Sequence, residues 1–451
     1  MLTQNLFRYA VLPAFETLYK RRQTFRYWRE LEASQWQTRE ELATAQTASL
    51  KSLVAHAQRE CPYYAELIQH RGLDADLREG VASLRRFPLL TKADIRRHQP
   101  QMRAANLAAR LMTKATGGST GVPLQIQLDQ GSLERRTAAM WRGYNWAGAG
   151  PGTKQFFLWG VPIETRPVWR DWKDQLYNAI LRRRVFSAFE LQEAVAPQLA
   201  SLIAHDRPDA IVAYTSAIYT LARNLQERGI RPFAPKSIVV GAEKLHDFQR
   251  VLIEDVFQAP VFETYGCREF MMIGGECPEH RGLHLTMENL FVEILDDDGT
   301  PTRDGHVGNV VVTDLYNYGM PMIRYVTGDQ AIAGFGVCPC GRGLPTLSEV
   351  RGRTVDTIQT PDGRQVPGAF FPHLMKDFAG VRQFQVVQST REQLELRVVL
   401  GDEWRDESRT EILRRVRRAV GEQVELAWRP VEHIPLTSAG KHRVVVSELS
   451  C

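Results

Sequence analysis

The sequence contains no long hydrophobic run. No stretch approaches the roughly eighteen consecutive apolar residues that indicate a transmembrane helix, and charged residues interrupt the apolar runs of segment 1–25. A signal peptide needs an uninterrupted apolar core, so this opening is not typical of one. We therefore expect a cytoplasmic protein without stable membrane insertion. The opening segment is typical of an amphipathic helix that covers the core, with membrane-surface binding as the alternative.

Cysteine is scarce, and several recurring patterns are missing. The 6 cysteines in 451 residues are too few for a disulfide scaffold. The sequence has no internal repeat and no low-complexity tract, so neither a solenoid nor a disordered arm is indicated. The net charge of +5 is spread along the chain without a basic stripe, so no nucleic-acid partner is indicated.

What is present is typical of an α/β protein with more than one domain, as the length of 451 residues also predicts. Apolar residues at helix spacing predict a helical cap within 1–110, and short β-rich runs alternate with helix-like segments from 155 to 329. This alternation predicts mixed or parallel sheets. We predict a large N-terminal domain, 1–352, with the ligand site at 111–352, and a small mobile α+β domain at 353–451.

One βαβ unit can be recognised closely. A buried strand at 238–240 is followed by a helix and, from 261, by the next strand. The predicted apolar face of the helix consists of Leu245, Phe248, Leu252 and Val256. In open α/β sheets, ligands bind beyond the carboxyl ends of the strands. The segments at those ends are Gly241-Ala242-Glu243 and Tyr265-Gly266-Cys267-Arg268-Glu269.

A glycine-rich segment precedes this sheet and reads Thr116-Gly117-Gly118-Ser119-Thr120-Gly121-Val122-Pro123. Its glycines and hydroxyl residues allow close backbone approach to a polyphosphate, with N–H and hydroxyl donors and little side-chain bulk. It is not a Walker loop, because no Gly-Lys-Ser/Thr closes it. The alternative is a tight polar turn between two strands.

Four further side chains are candidates for nucleotide chemistry. Glu269 offers the carboxylate oxygens that magnesium prefers, and Tyr265 can stack on a flat base. Asp329 can accept hydrogen bonds from two ribose hydroxyls. Lys441, after a flexible turn, can neutralise charge that develops between a carboxylate and an α-phosphate. The ordinary alternatives are a surface carboxylate for Glu269, a strand followed by a Gly-Asp turn for Asp329, and a solvated lysine.

In this order the segments resemble those of the adenylate-forming superfamily of acyl-CoA synthetases, adenylation domains and luciferases. The resemblance is strongest to its phenylacetate-CoA ligase-like branch, which includes relatives associated with capsular polysaccharide clusters, and it runs from the helical cap through Lys441. It implies an AMP-forming acid ligase that uses ATP and Mg²⁺ to convert a carboxylic acid into an acyl-adenylate. Pyrophosphate is released, and the acyl group then passes to coenzyme A.

The resemblance also implies roles for individual residues. The residues implied for cofactor binding are Thr116, Gly117, Gly118, Ser119, Thr120, Gly121, Gly241, Ala242, Glu243, Tyr265, Gly266, Asp329 and Arg353, and those implied for catalysis are Lys441 and Glu269. The small domain would rotate about a hinge near Arg353 to Asp356 for the second step. Two departures are Leu124, where many relatives have lysine, and Arg268, where they have threonine or serine.

The remaining cysteine pattern indicates a metal. Cys277, Cys338 and Cys340 lie in two Gly-rich loops, and His280 and His284 follow Cys277 closely. Three thiolates and one imidazole make a closed tetrahedral zinc site, which is structural rather than catalytic, and some phenylacetate-CoA ligase-like proteins have a similar arrangement. We favour His284 as the fourth ligand. The alternative is a set of reduced, unligated cysteines.

The acid, the acceptor and the oligomeric state stay open. An aromatic acid is one option, because Trp141, Tyr144, Trp146 and Tyr214 would suit a flat ring, although aromatic residues at helix spacing are more often core. The acceptor can also be an amine, giving an amide, or the thiol of a carrier protein. A non-catalytic nucleotide-binding protein of the same fold is the alternative from another class. A homodimer is one option for the assembly.

Overall fold

The computed structural model describes residues 2–115, 124–159, 175–188, 191, 195–334, 336–353, 358–362, 365–366, 370–375, 377–378, 380–435 and 443–449. Contacts divide the chain into two compact units. The large unit comprises residues 1–327 and 331–350, and the small unit comprises residues 328–330 and 351–451. Within the described ranges, no helix combines the length and the apolar character needed to cross a bilayer.

The large unit begins with helices, as the periodicity predicts. The longest, Arg39–Glu60, starts at a capping box between Thr38 and Glu41 and ends just before Pro62 opens the next helix. Its predicted apolar face is buried, including Leu50 and Val54. The helices here are Leu2–Leu6, Leu12–Ala14, Thr24–Ser34, Arg39–Glu60, Pro62–Arg71, Val81–Arg85 and Lys92–His98, with π-helical turns at Phe7–Val11 and Phe15–Tyr19 and a 3₁₀ turn at Ala108–Arg110.

A hairpin and an 11-stranded mixed sheet follow. The hairpin pairs β1 (Met112–Ala115) with β2 (Gln125–Leu128). The sheet consists of β3 (Gln155–Trp159), β4 (Arg183–Ser187), β5 (Ala210–Tyr214), β6 (Ser237–Gly241), β7 (Val261–Tyr265), β8 (Gly274–Glu276), β9 (Leu283–Leu285), β10 (Leu290–Leu295), β11 (Val307–Asp314), β12 (Tyr325–Ala333) and β13 (Thr346–Arg353). Its order is β10-β11-β12-β13-β9-β8-β7-β6-β5-β3-β4.

The half of the sheet from β4 to β7 is parallel, and the strands from β7 to β9 are antiparallel. The helices associated with this region are Gln130–Trp146, Ala196–Asp206, Thr215–Glu227 and Asp247–Phe257. Strands β5 and β6 are buried along their whole length, which explains their continuous apolar runs. The predicted α/β class with a mixed sheet is confirmed.

The predicted βαβ unit is present with one difference at its helix. The helix Asp247–Phe257 starts at a capping box formed by His246 and Gln249. Leu245 therefore lies before the helix, although it is still buried in the same hydrophobic cluster as Val256. The capping box determines where the helix starts, and hydrophobic periodicity does not detect it.

Two alternatives from the sequence are decided by burial and strand bounds. The aromatic residues Trp141, Tyr144 and Trp146 share one helix but belong to three separate hydrophobic clusters, and Tyr214 belongs to a fourth. The structure therefore favours the core interpretation over a shared aromatic pocket. Asp329 lies in the middle of β12, so the alternative of a turn after a strand is wrong.

The small unit has its own sheet and core. Its strands are β14 (Ile358–Gln359), β15 (Gln365–Val366), β16 (Val381–Gln388), β17 (Gln393–Leu400), β18 (Glu425–Pro430) and β19 (Val445–Ser447), and its helices are Phe370–Met375 and Asp406–Val420. A four-stranded sheet has the order β18-β17-β16-β19. Ile412 and Val416 of the longer helix are fully buried in the core of this unit. The arrangement is α+β, as the sequence predicts.

Candidate functional site

Two loops that the sequence singled out lie side by side at the carboxyl ends of β6 and β7. The two strands pair in parallel with Val240 opposite Glu263, so the segments 241–243 and 265–269 leave the sheet next to each other. A Cβ added to Gly241 would lie 2.5 Å from the hydroxyl oxygen of Thr264. Only glycine fits this close approach. This edge is where open α/β sheets bind ligands.

The first loop is fixed against the helix Thr215–Glu227. Ala242 has a left-handed backbone with a φ of 69°, which residues with a Cβ rarely adopt. The Oε2 atom of Glu243 accepts a hydrogen bond from the backbone N–H of Ser216 at 2.7 Å, and its carbonyl oxygen accepts one from the Thr215 hydroxyl at 3.1 Å. Glu243 therefore satisfies a helix N-terminus, where negative charge is favourable.

The second loop holds Glu269 as a buried carboxylate. Glu269 is 6% exposed, and its Oε1 atom accepts a hydrogen bond from the Tyr325 hydroxyl at 3.1 Å. Gly266 permits the preceding turn, because a Cβ there would overlap the carbonyl oxygen of Met271. Tyr265, the last residue of β7, is 9% exposed. A carboxylate that is fixed through one oxygen can present the other to a cation.

Arg136 anchors the backbone of this loop from the helix Gln130–Trp146. Its guanidinium donates hydrogen bonds to the carbonyl oxygen of Glu269 and to the Asp314 carboxylate, and the whole residue is buried. The ion pair with Asp314 compensates for the desolvation of both charges. Sequence reasoning missed Arg136 and Tyr325. The available signal was an arginine on the buried face of a helix.

The other predicted nucleotide residues are dispersed over the chain. Asp329 is 8% exposed and lies on the same buried face of β12 as Tyr325. Arg353 is the last residue of β13. Residues 116–123, Asp356 and Lys441 lie outside the described residues. Their roles stay predictions.

Four metal-ligating side chains of the large unit converge: Cys277, His284, Cys338 and Cys340, whose ligand atoms all lie within 4.8 Å of one another. The Sγ atoms of Cys277 and Cys338 are 3.7 Å apart, and Nε2 of His284 is 3.3 Å from Sγ of Cys340. Tetrahedral zinc, with Zn–S of about 2.3 Å and Zn–N of about 2.0 Å, requires separations of about 3.8 and 3.5 Å. The cluster therefore fits zinc, and the sulfur separation is too long for a disulfide.

The imidazole in this cluster belongs to His284 rather than His280. His284 lies on β9, paired with Gly275 of β8 and Thr346 of β13. Its Nδ1 atom is 3.4 Å from the carbonyl oxygen of Leu344, an arrangement that orients Nε2 toward a metal. Burial lowers the pKa of His284 to about 4, so the ring is neutral at pH 7. His280 contacts Glu276 instead, at 3.2 Å.

Two acidic residues lie near each other on the neighbouring strands β7 and β8: Glu263, which is half-buried, and Glu276, which is buried and directly precedes Cys277. Glu263, in the middle of β7, accepts a hydrogen bond from the Leu245 N–H at 3.1 Å, and burial raises the pKa of Glu263 to about 7. Glu276 accepts two hydrogen bonds from Arg250, at 2.8 and 3.0 Å. Sequence reasoning missed this pair. A carboxylate inside an apolar strand was the available signal.

Comparison with known proteins matches both parts of the chain. The family model of the CapK C-terminal domain matches residues 358–448. A phenylacetate-coenzyme A ligase of Thermus thermophilus is 26% identical over 437 residues, which cover 90% of this chain and 97% of the relative. Protein CapK of Staphylococcus aureus is 25% identical over 324 residues, which cover 69% of this chain and 67% of the relative.

Among solved structures, a 2-hydroxyisobutyryl-CoA ligase in the postadenylation state has a TM-score of 0.74 at 19% sequence identity. The match covers 92% of this chain and 91% of that one. At this identity the likeness establishes the fold. The resemblance recognised in the sequence is thereby confirmed: the chain is a homologue of the phenylacetate-coenzyme A ligases and of CapK, with the fold of the adenylate-forming ligases, and its class is that of an AMP-forming acid ligase.

Proposed function

We propose that this protein uses ATP and Mg²⁺ to convert a carboxylic acid into an acyl-adenylate and then transfers the acyl group to coenzyme A. The observation that carries the proposal is the juxtaposition of segments 241–243 and 265–269 at the ends of adjacent parallel strands. The homologous phenylacetate-coenzyme A ligases support the same chemistry.

In the proposed first step, a carboxylate oxygen of the acid attacks the α-phosphorus of ATP. The new O–P bond forms as the bond to the β-phosphate oxygen breaks, and pyrophosphate leaves with the electron pair. The residues act by positioning and by offsetting charge, so no covalent nucleophile is needed. In this proposal Tyr265 would pack on the adenine, and Asp329 and Arg353 would bind the ribose hydroxyls. Lys441, which lies outside the described residues, would neutralise the charge that develops between the carboxylate and the α-phosphate.

Glu269 would hold Mg²⁺ in this proposal. Magnesium in nucleotide sites usually takes one or two carboxylates together with substrate phosphates and water, and it neutralises phosphate charge when bound. Glu269 fits this use, because the Tyr325 hydroxyl holds its Oε1 and a carboxylate has a second oxygen that can bind an ion. Arg136 holds the loop backbone at the Glu269 carbonyl oxygen and so helps to keep the carboxylate in place.

We also propose that Cys277, His284, Cys338 and Cys340 hold a structural zinc ion. Four protein ligands leave no open coordination position, so the ion would supply a cross-link rather than chemistry. It would join the loop that carries Cys277 to the loop that carries Cys338 and Cys340, on either side of the β9–β13 pairing. The strand that follows the Glu269 loop, β8, belongs to the same group of strands.

The substitution Glu269→Gln tests the proposed adenylation. Glutamine keeps the size of the side chain and can still accept the Tyr325 hydrogen bond, but it removes the negative charge offered to magnesium. The assay is acid-dependent exchange of labelled pyrophosphate into ATP, with a panel of aromatic and short aliphatic acids. Wild-type protein should be active with at least one acid. We expect Glu269→Gln to lose about 100-fold or more, as removal of a metal ligand costs several kcal/mol of transition-state stabilisation.

Glu66→Gln is the matched control, since Glu66 is an exposed carboxylate on the helix Pro62–Arg71. It should exchange pyrophosphate like the wild type. Equal exchange by Glu269→Gln and the wild type would remove Glu269 from the mechanism. Binding of ATP by wild-type protein without exchange for any acid would favour the non-catalytic alternative.

The acceptor is tested once an active acid is known. Release of AMP and formation of a thioester that both depend on coenzyme A would support the proposed second step. Product formation with amines, and none with coenzyme A, would instead assign an amide ligase. A mass spectrum of protein incubated with ATP and cell extract would identify the acid through a trapped acyl-adenylate.

A further inference from the structure

The β1–β2 hairpin carries a lysine where its pattern calls for an apolar residue. In the hairpin register, Met112 lies opposite Leu128 and Lys114 opposite Ile126. Residues directly opposite each other share a face of a hairpin, and Ile126 and Leu128 are fully buried in the core. Lys114 is therefore on the buried face, whereas Thr113 is on the other face and exposed.

Among the described residues, the charges that perturb Lys114 are positive. Burial first, and then the charges of Arg136 and Arg268, lower the pKa of Lys114 to about 8, so the ammonium is still charged at pH 7. Placing a lysine on a buried face beside two arginines costs stability. A sequence that breaks its own pattern in this way generally does so at a functional position.

In the sequence, this cationic group adjoins the segments proposed for phosphate and magnesium binding. Lys114 is two residues before the segment 116–123, and Arg268 directly precedes Glu269. Arg268 is solvent-exposed. Arg136 is buried and bonded to Asp314 and to the Glu269 carbonyl oxygen, so it is a positioning residue.

Many relatives carry a lysine just after the segment 116–123. In this chain that position, 124, is buried and does not suit a cation. Leu124 is 1% exposed and belongs to the same hydrophobic cluster as Ile126 and Leu128. A lysine at this position would bury its ammonium among apolar side chains, at a high desolvation cost. A cation for the terminal phosphates has to come from elsewhere in the fold.

We infer that Lys114 and Arg268 bind the β- and γ-phosphates of ATP and the departing pyrophosphate, and that Lys114 replaces the lysine absent at position 124. The inference rests on the proposed adenylation function. An ammonium and a guanidinium donate charge-assisted hydrogen bonds to phosphate oxygens. AMP has no β- or γ-phosphate, so these two cations distinguish ATP and pyrophosphate from AMP.

Calorimetric titration of the purified full-length protein in the presence of Mg²⁺ tests the inference. The probes are ATP, pyrophosphate and AMP, and the variants are Lys114→Met, Lys114→Arg and the control Thr113→Ala. We expect Lys114→Met to weaken binding of ATP and of pyrophosphate by about 10- to 100-fold, the usual effect of losing one charged hydrogen bond. AMP binding should be unchanged, and Lys114→Arg should bind ATP like the wild type. Thr113→Ala should match the wild type with every probe.

The outcomes separate this inference from the proposed function. Unchanged ATP binding by Lys114→Met, or an equal loss for ATP and AMP, would overturn the inference and leave the adenylation proposal standing. Wild-type protein that binds neither ATP nor AMP would overturn both. Thermal unfolding is measured in parallel, and Lys114→Met should be at least as stable as the wild type, because methionine suits the buried face. Failure of Lys114→Arg to bind ATP would also count against the inference.

Discussion

Loss of the proposed zinc ion should lower the free energy of unfolding of the large unit, and the length of the loop between the zinc ligands gives the size of this effect. Cys277 and Cys338 are 61 residues apart in the sequence, so an ion bound to both closes a long loop. A covalent cross-link over a loop of this length removes chain entropy from the unfolded state equivalent to about 4 kcal/mol. A metal held by four protein ligands restricts the unfolded chain in a similar way as long as its thiolate ligands keep it bound after unfolding.

This free energy translates into a measurable shift in Tm. The large unit has roughly 350 residues, and the entropy of unfolding near 60 °C is about 2.1 cal/mol/K per residue. A loss of about 4 kcal/mol then lowers Tm by about 5 °C. Cys338→Ser is the variant of choice, because Cys338 is 8% exposed and serine nearly preserves its shape.

Cys61→Ser is the matched control. Cys61 is 1% exposed and lies outside the metal-ligand cluster, so this variant reports the cost of burying a hydroxyl alone. Zinc content is measured by mass spectrometry and Tm by calorimetry, before and after treatment with a strong chelator. We expect about one zinc ion per chain in the wild type and in Cys61→Ser, loss of zinc in Cys338→Ser, and the lower Tm wherever zinc is lost. A zinc-free wild type, or a chelated wild type with unchanged Tm, would refute the cross-link reasoning.

Two further substitutions test the groups around the Glu269 loop. Glu263→Gln should raise Tm at pH 8.5 but not at pH 4.5. Burial raises the pKa of Glu263 from 4.5 to about 7 in the folded protein. The folded protein therefore loses stability as the pH rises from 4.5 through 7, by at most about 3 kcal/mol, and glutamine avoids this loss. The same Tm gain at both pH values would contradict this titration. Tyr325→Phe removes the hydroxyl that orients Glu269 and should raise the Mg²⁺ concentration for half-maximal pyrophosphate exchange several-fold; an unchanged magnesium dependence would show that Glu269 needs no such support.

The parts of the fold that were predictable are those with a local signal. Strands β6 and β7 were found because β-branched and aromatic residues form short runs between turn residues. Once both were read as parallel strands, the adjacency of segments 241–243 and 265–269 followed from the geometry of the sheet. The convergence of Cys277 and Cys338 could also be predicted, because cysteine is rare in the sequence and binds metal ions strongly.

The contacts that position Glu269 could not be predicted from the sequence, because they join residues that are far apart in the chain. Arg136 reaches the carbonyl oxygen of Glu269 across 133 positions, and Tyr325 reaches its carboxylate across 56. Periodicity indicates only which face of a helix or strand is buried. It does not identify the partner of a charged residue on that face. Glu243 shows the converse, since a residue singled out for cofactor binding also accepts a hydrogen bond at a helix N-terminus.

The residues that broke the local pattern share one physical property. Lys114, Arg136 and Glu263 are charged groups on buried faces of a strand or a helix, where apolar residues would be more stabilising. Arg136 is compensated by Asp314, whereas Lys114 is placed beside like charges. The described surroundings therefore favour methionine over lysine at 114, and a bound anion would reverse this preference. If the inference about Lys114 holds, this cation indicates the phosphate end of the nucleotide more specifically than the glycine-rich segment does, because glycine and threonine also make ordinary turns.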